Sequence, residues 1–249
     1  MTSRIVFLLF IILVALSCTL KSPLSLSEKW GCKQIIVVKT AGMDSIKGHL
    51  VAYNWSDEKR QWVVASKEIP MVVGYKGLAW GKGLHDEKLN EKPLKKEGDR
   101  RSPVGLFYLS SFFGYGVGDS LGALKMPYLR ADSRVFCVDD PLSSFYNRIV
   151  NIDTVQKDWH SAERMLLDSD YYKYGVVIDY NTPKTDTGKG SCIFLHIWQN
   201  AKAGTFGCTA VEENAMKQIL LWLDKSKNPI LVQAPEREYE VLKKMYFLP

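Results

Sequence analysis

The sequence predicts a mainly β domain flanked by α-helices, and three observations point there. Gln34 to Thr40 (QIIVVKT) and His49 to Trp55 (HLVAYNW) are β-branched, aromatic-rich runs of strand length. No helical period separates them, which argues for a sheet built by local pairing rather than a βαβ series. Helical periodicity is confined to later stretches, residues 159–167, 211–224 and 236–247.

Taken in order, the first two runs pair around Ala41-Gly42-Met43-Asp44-Ser45, and Gln61 to Ser66 continues the pattern with Trp62 and Val64 on one face. Met71 to Trp80 (MVVGYKGLAW) is a further strand running into a turn rich in glycine: Gly74, Gly77, Gly81 and Gly83. These glycines lack the lysine and hydroxyl spacing of a phosphate loop and read as turn positions. His85 falls in a charged loop and is expected to be solvated. From Glu97 to Leu109 a charged turn passes through Ser102-Pro103-Val104-Gly105 into an alternating strand, a loop anchored by a sheet.

Phe112 to Gly118 and Met126-Pro127-Tyr128 are aromatic segments suited to a core or a groove wall. Phe136-Cys137-Val138-Asp139-Asp140-Pro141 reads as a strand entering a turn. Adjacent acids on extended backbone point in different directions, so Asp139 and Asp140 suit turn chemistry better than a metal. Trp159 to Leu167 (WHSAERMLL) is expected to be helical, with His160 in its first turn. Val176 to Tyr180 and Cys192 to Trp198 are strands separated by a polar loop. The helix 211–224, the strand Ile230 to Gln233 and the helix 236–247 complete the chain.

Met1-Thr2-Ser3-Arg4 precedes an apolar run, Ile5 to Leu16, that ends at Ser17-Cys18. A basic start and an apolar core too short to span a bilayer describe an export signal over residues 1–18. Ala15-Leu16-Ser17-Cys18 also resembles a bacterial lipobox, which would place a lipid, and so a membrane anchor, on Cys18. Residues 30–249 are then within the range of a single β-rich domain. The net charge of +6 is dispersed among acids, and no basic stripe with interleaved aromatics suggests nucleic acid. Cys32, Cys137, Cys192 and Cys208 remain, without zinc-site spacing. Export permits disulfides, and the four allow several pairings; if Cys208 stays free, Cys137 with Cys192 is the favoured one.

The chemistry converges on Ser191 to Ala210 (SCIFLHIWQNAKAGTFGCTA). His196 sits in a buried strand, and Thr205-Phe206-Gly207-Cys208-Thr209 delivers a cysteine beside a glycine. Thr209 and Glu212 have capping-box spacing, which predicts a helix starting directly after Cys208. A thiol there would feel the positive end of the macrodipole and nearby N–H donors, favouring thiolate. His196 could take the thiol proton, and backbone N–H groups around Gly207 and Thr209 could hold an oxyanion.

A histidine on a strand followed by Thr-x-Gly-Cys resembles the L,D-transpeptidase catalytic domain, the YkuD family. Glu97-Gly98-Asp99 with Arg101-Ser102-Pro103-Val104-Gly105-Leu106-Phe107 is similar to that family's upstream segment. The resemblance implies a β-sandwich with flanking α-helices and an exported cysteine enzyme of the cell envelope acting on peptidoglycan stem peptides. Cys208 is then the nucleophile and His196 the general base of a covalent acyl-enzyme, without metal or other cofactor, and Arg101, Ser102 and Thr205 bind substrate. The chain departs from the pattern at Phe206, where many members have histidine, and at Thr209-Ala210, where many have a polar or basic pair. Hydrolysis of stem peptides is the alternative within enzymes, and a non-catalytic envelope-binding lipoprotein the alternative outside them.

Overall fold

The computed structural model describes residues 25–116 and 124–249. The expected leader, with Cys18, and the end of the 112–118 run lie outside them.

The frame is a ring of eight strands. β1 (Gln34–Thr40) pairs in parallel with β14 (Ile230–Pro235), which runs antiparallel to β6 (Ser102–Gly114). From β6 the order continues through β11 (Gly175–Ile178), β12 (Phe194–Ile197), β13 (Thr209–Val211), β4 (Ile69–Val72) and β2 (Lys47–Ser56). β2 then returns to β1, with Val37 opposite Val51. Three short strands hang on this ring: β3 (Gln61–Val64) on β2, and β5 (Leu78–Trp80) and β7 (Tyr128–Arg130) on β6.

The mainly β expectation therefore holds, but the β-sandwich does not: the sheet is a closed eight-stranded barrel. Two stacked sheets would leave edges, whereas β1 is hydrogen-bonded on both sides, to β14 and to β2. Apolar side chains from around the ring, among them Val37, Leu106, Leu195, Val211 and Val232, form one buried cluster. The helices α2 (Glu213–Trp222) and α3 (Glu236–Tyr246) add Met216, Ile219, Leu220, Tyr239 and Leu242 to it. α1 (Leu26–Trp30) starts at a capping box in which Ser25 and Glu28 satisfy each other's backbone N–H groups.

A second layer lies against one wall of the barrel. β8 (Val135–Cys137), β9 (Ile149–Asn151) and β10 (Glu163–Arg164) form a small antiparallel sheet. A disulfide from Cys137 to Cys192 ties it to the segment leading into β12. Its apolar cluster contains Phe113, Val135, Met165, Tyr172, Phe194 and Cys208. β12 divides its residues by the two-residue period of a strand: Leu195 and Ile197 join the barrel cluster, while Phe194 joins the second.

The helix expected over 159–167 is absent. Asp140 accepts the His160 N–H at 2.8 Å, and Glu163–Arg164 pair with Cys137 and Phe136 as strand. His85 is buried, not solvated: its Nδ1 accepts from the Leu106 N–H at 3.3 Å and its ring lies on Trp80 and Phe107.

Candidate active site

Cys208 sits at the seam between the barrel and the second layer, where the chain enters β13. No helix starts there: Thr209–Val211 are strand, pairing with β12 and β4, and α2 begins later with Glu212 as its cap. The macrodipole thus does nothing for this sulfur. Burial instead pushes the thiol up, and the Glu163 carboxyl adds to the shift, outweighing the Phe194 N–H, Tyr172 and Lys95, which pull the other way. Cys208 is a free, protonated thiol at rest. Its sulfur accepts from the Phe194 N–H at 3.3 Å and points to the Cys192 carbonyl at 3.6 Å.

His196 lies two residues beyond Phe194 on the same face of β12. Its Nδ1 is 2.8 Å from the Ile197 carbonyl, a contact that only an Nδ1–H can make favourable. The lone pair is therefore on Nε2. Burial lowers the imidazole to about 4, so it is neutral at physiological pH. Both residues line one cavity of about 650 Å³. They share it without a direct hydrogen bond among the described contacts. The aromatic packing of Phe113, Tyr172 and Phe194 holds the His196 ring, with Tyr172 edge-on to it at 5.1 Å between centroids.

The loop before Cys208 is clamped from below. Ser102, fully buried, takes the Gly74 N–H at 2.8 Å and donates to the Cys208 carbonyl at 2.7 Å. Thr205 donates to the same carbonyl at 2.5 Å, and its hydroxyl accepts the Gly207 N–H at 3.1 Å. Ser102 is thus a positioning residue outside the cavity lining, while Thr205 lines the cavity with its hydroxyl turned inward to the loop. Gly207 has a φ of +144°, and a methyl group there would approach the Arg101 carbonyl at 3.3 Å. With the Gly207 amide engaged, the Cys208 N–H, like those of Gly204 and Phe206, has no acceptor among the described hydrogen bonds. Thr209 turns its hydroxyl into the barrel, 2.6 Å from Gln233, and is fully buried.

The Glu97 loop does reach the cavity, through Lys95, Glu97, Gly98 and Arg100. Arg101 does not line it: its guanidinium bonds to Asp44 and the Leu78 carbonyl, both at 2.9 Å. No protein-family model matches the chain, and no curated protein matches it. Among solved structures it is similar to the helical cell shape determining protein Pgp2 from Campylobacter jejuni. That likeness has 15% identity and a TM-score of 0.34 over 82% of this chain and 48% of the other, so this chain spans about half the length of that one. At that level it carries no weight for fold or activity.

Two cavity residues escape sequence reasoning. Tyr172, buried in the same apolar cluster as Cys208, donates its hydroxyl to Glu163. Glu163 is raised to about 7, chiefly by burial. Glu163 falls inside the 159–167 stretch whose spacing pointed to a helix, and Tyr172 belongs to no motif, so nothing local marks either as a cavity group. At the mouth, Arg100 stacks over Tyr75 and Phe206, and Phe206 is 81% exposed.

Proposed function

We propose that this protein is an exported cysteine enzyme that cleaves peptidoglycan stem peptides through a covalent acyl-enzyme, passing the acyl group to an amine as an L,D-transpeptidase does. The observation that carries the reading is a free Cys208 sharing one cavity with a neutral His196 whose Nε2 is left as the acceptor. The Cys208 sulfur attacks the amide carbonyl before the terminal residue. A C–S bond forms, the C–N bond breaks, and the departing amine gains a proton. His196 is the general base through Nε2. The Cys208 N–H is the donor placed to hold the oxyanion.

Lys95 and Arg100 beside Glu97, Asp139 and Glu163 give the cavity both signs of charge, which suits a peptide carrying amine and carboxylate groups. A lipid on Cys18 would hold the enzyme at a membrane facing the wall. The test is incubation with defined tetrapeptide muropeptides. Intact-protein mass should show the acyl adduct on the wild type and none on Cys208→Ala. Cross-linked or exchanged products identify transfer, and shortened stems alone identify water as the acceptor. Full activity of Cys208→Ala would remove the assignment.

A further inference from the structure

Three loops meet at the mouth of the cavity, and their backbones interlock there. The Tyr75 N–H donates to the Thr205 carbonyl at 2.8 Å, and the Lys76 N–H to the Arg100 carbonyl at 3.1 Å. Glycines permit this approach: a methyl group on Gly74 would meet the Arg100 carbonyl at 2.4 Å, and one on Gly204 the Tyr75 Cα at 2.5 Å. Tyr75, Arg100 and Phe206 are thus carried on one tightly packed backbone frame. The two rings lie 6.2 Å apart, edge to face. The Arg100 guanidinium carbon is 5.1 Å from the Tyr75 ring and 5.7 Å from the Phe206 ring.

Arg100 differs from the other charged groups of this region in having no partner of opposite sign. Arg101, expected from the sequence to bind substrate, turns away to Asp44 and the Leu78 carbonyl. Lys95, the other cation of the lining, is buried and held by Asp99 at 2.6 Å and the Lys96 carbonyl at 3.0 Å. The acids of the lining are engaged as well: Glu97 accepts from Tyr146 and Ser191, Asp139 from Ser161, and Glu163 from Tyr172. The Arg100 side chain has five N–H donors, and its described partners are the two rings alone. A permanent cation with free donors, covered by two aromatic rings at the rim of a cavity, is built to take an anion.

We propose that Arg100 is the specificity residue of this site and binds the free α-carboxylate of the residue that leaves. The identity of the peptide rests on the acyl-enzyme reading above; the binding of a carboxylate beside Cys208 does not. Guanidinium and carboxylate are matched for paired, charge-assisted N–H···O bonds, and the covering rings keep water from part of the guanidinium, which strengthens such bonds. The reach fits. The carboxyl carbon of a departing residue lies within about 4 Å of the carbonyl that the sulfur attacks. Phe206, which Arg100 covers, is two residues from Cys208, at most about 7 Å along the chain. A ligand held at Arg100 by its terminal carboxylate therefore has its last amide nearest the sulfur, not one further in. The same role accounts for an exposed phenylalanine on the rim.

The test is a ligand-detected NMR titration of the full chain with N-acetyl-D-alanine and with its carboxamide, probes that need no turnover. The wild type should bind the acid roughly tenfold or more tightly than the amide. Arg100→Gln should remove that preference without moving the unfolding midpoint, and Arg100→Lys should retain part of it. The proposal is overturned if the wild type does not distinguish acid from amide, or if the preference survives Arg100→Gln. Intact-protein mass then separates this inference from the assigned activity. A tetrapeptide muropeptide should acylate wild-type Cys208 faster than its C-terminal carboxamide does, by roughly tenfold or more. Equal acylation by both would leave the cysteine enzyme standing and remove Arg100 as its specificity residue. If the small acid is held through Arg100 but no muropeptide acylates Cys208, the assigned activity fails and the carboxylate site stands.

Discussion

Ser102 separates a positioning role from a substrate contact, and the size of its effect follows from its two bonds. Its hydroxyl bridges the Gly74 N–H and the Cys208 carbonyl in a fully buried setting. Ser102→Ala removes both. The Cys208 carbonyl keeps Thr205 as a donor, so that end loses one bond, about 1 kcal/mol. The Gly74 N–H is orphaned away from water, at about 1–3 kcal/mol. The sum is a loss of about 2–4 kcal/mol, read as a fall in the urea midpoint of about 1 M or more for an m-value near 2–3 kcal/mol per M. Because one of two clamps on the Cys208 carbonyl is gone, under the proposed activity kcat on muropeptides should fall more than KM rises. A variant with unchanged unfolding midpoint and a raised KM would refute the reasoning and return Ser102 to direct substrate binding.

Two further outcomes follow from the same seam. The Cys137–Cys192 bond closes a loop of 55 residues, which in the chain-entropy account contributes about 4 kcal/mol. The Cys137→Ala/Cys192→Ala pair should therefore unfold at a clearly lower denaturant concentration, and an unchanged midpoint would contradict the account. Glu163 links stability to pH in the opposite sense to His196. Raised from 4.5 to about 7, its carboxyl contributes stability that is fully present below about 4.5 and is lost as pH rises through 7. His196, lowered from 6.5 to about 4, contributes stability present above 6.5 and lost as pH falls through 4. Replacing Glu163 by Gln removes only the first dependence. The stability difference, variant minus wild type, should therefore rise by up to about 3 kcal/mol between pH 4.5 and 7, and a difference independent of pH would refute the shift.

The strands were legible because their pattern is local. Gln34 to Thr40 coincides with β1, and His49 to Trp55 lies within β2. Closure was not legible, since it depends on Ile35 meeting Ile230 and Tyr108 meeting Ile230 from the other side, pairings no window of sequence contains. The two helix errors share a cause. Residues 159–164 and 209–211 have helical spacing, but Cys137 and Leu195 on neighbouring strands claim their backbone bonds first. Cys208 and His196 stood out by residue type and order. The loop partners of Cys208 did not, because Ser102 and Thr205 matter through a carbonyl, which any residue could have supplied.

The ring is completed between its first strand and its last, and this constrains when the protein can fold. β1 has its second neighbour only once Ile230–Pro235 exist, so a chain emerging from a ribosome carries open strand margins until that strand has been made. Such late, long-range closure is slow and exposes β-rich surface to self-association. Loss of the last strand should consequently yield not a smaller barrel but an aggregating or proteolysed chain, with Cys208 never assembled into its seam.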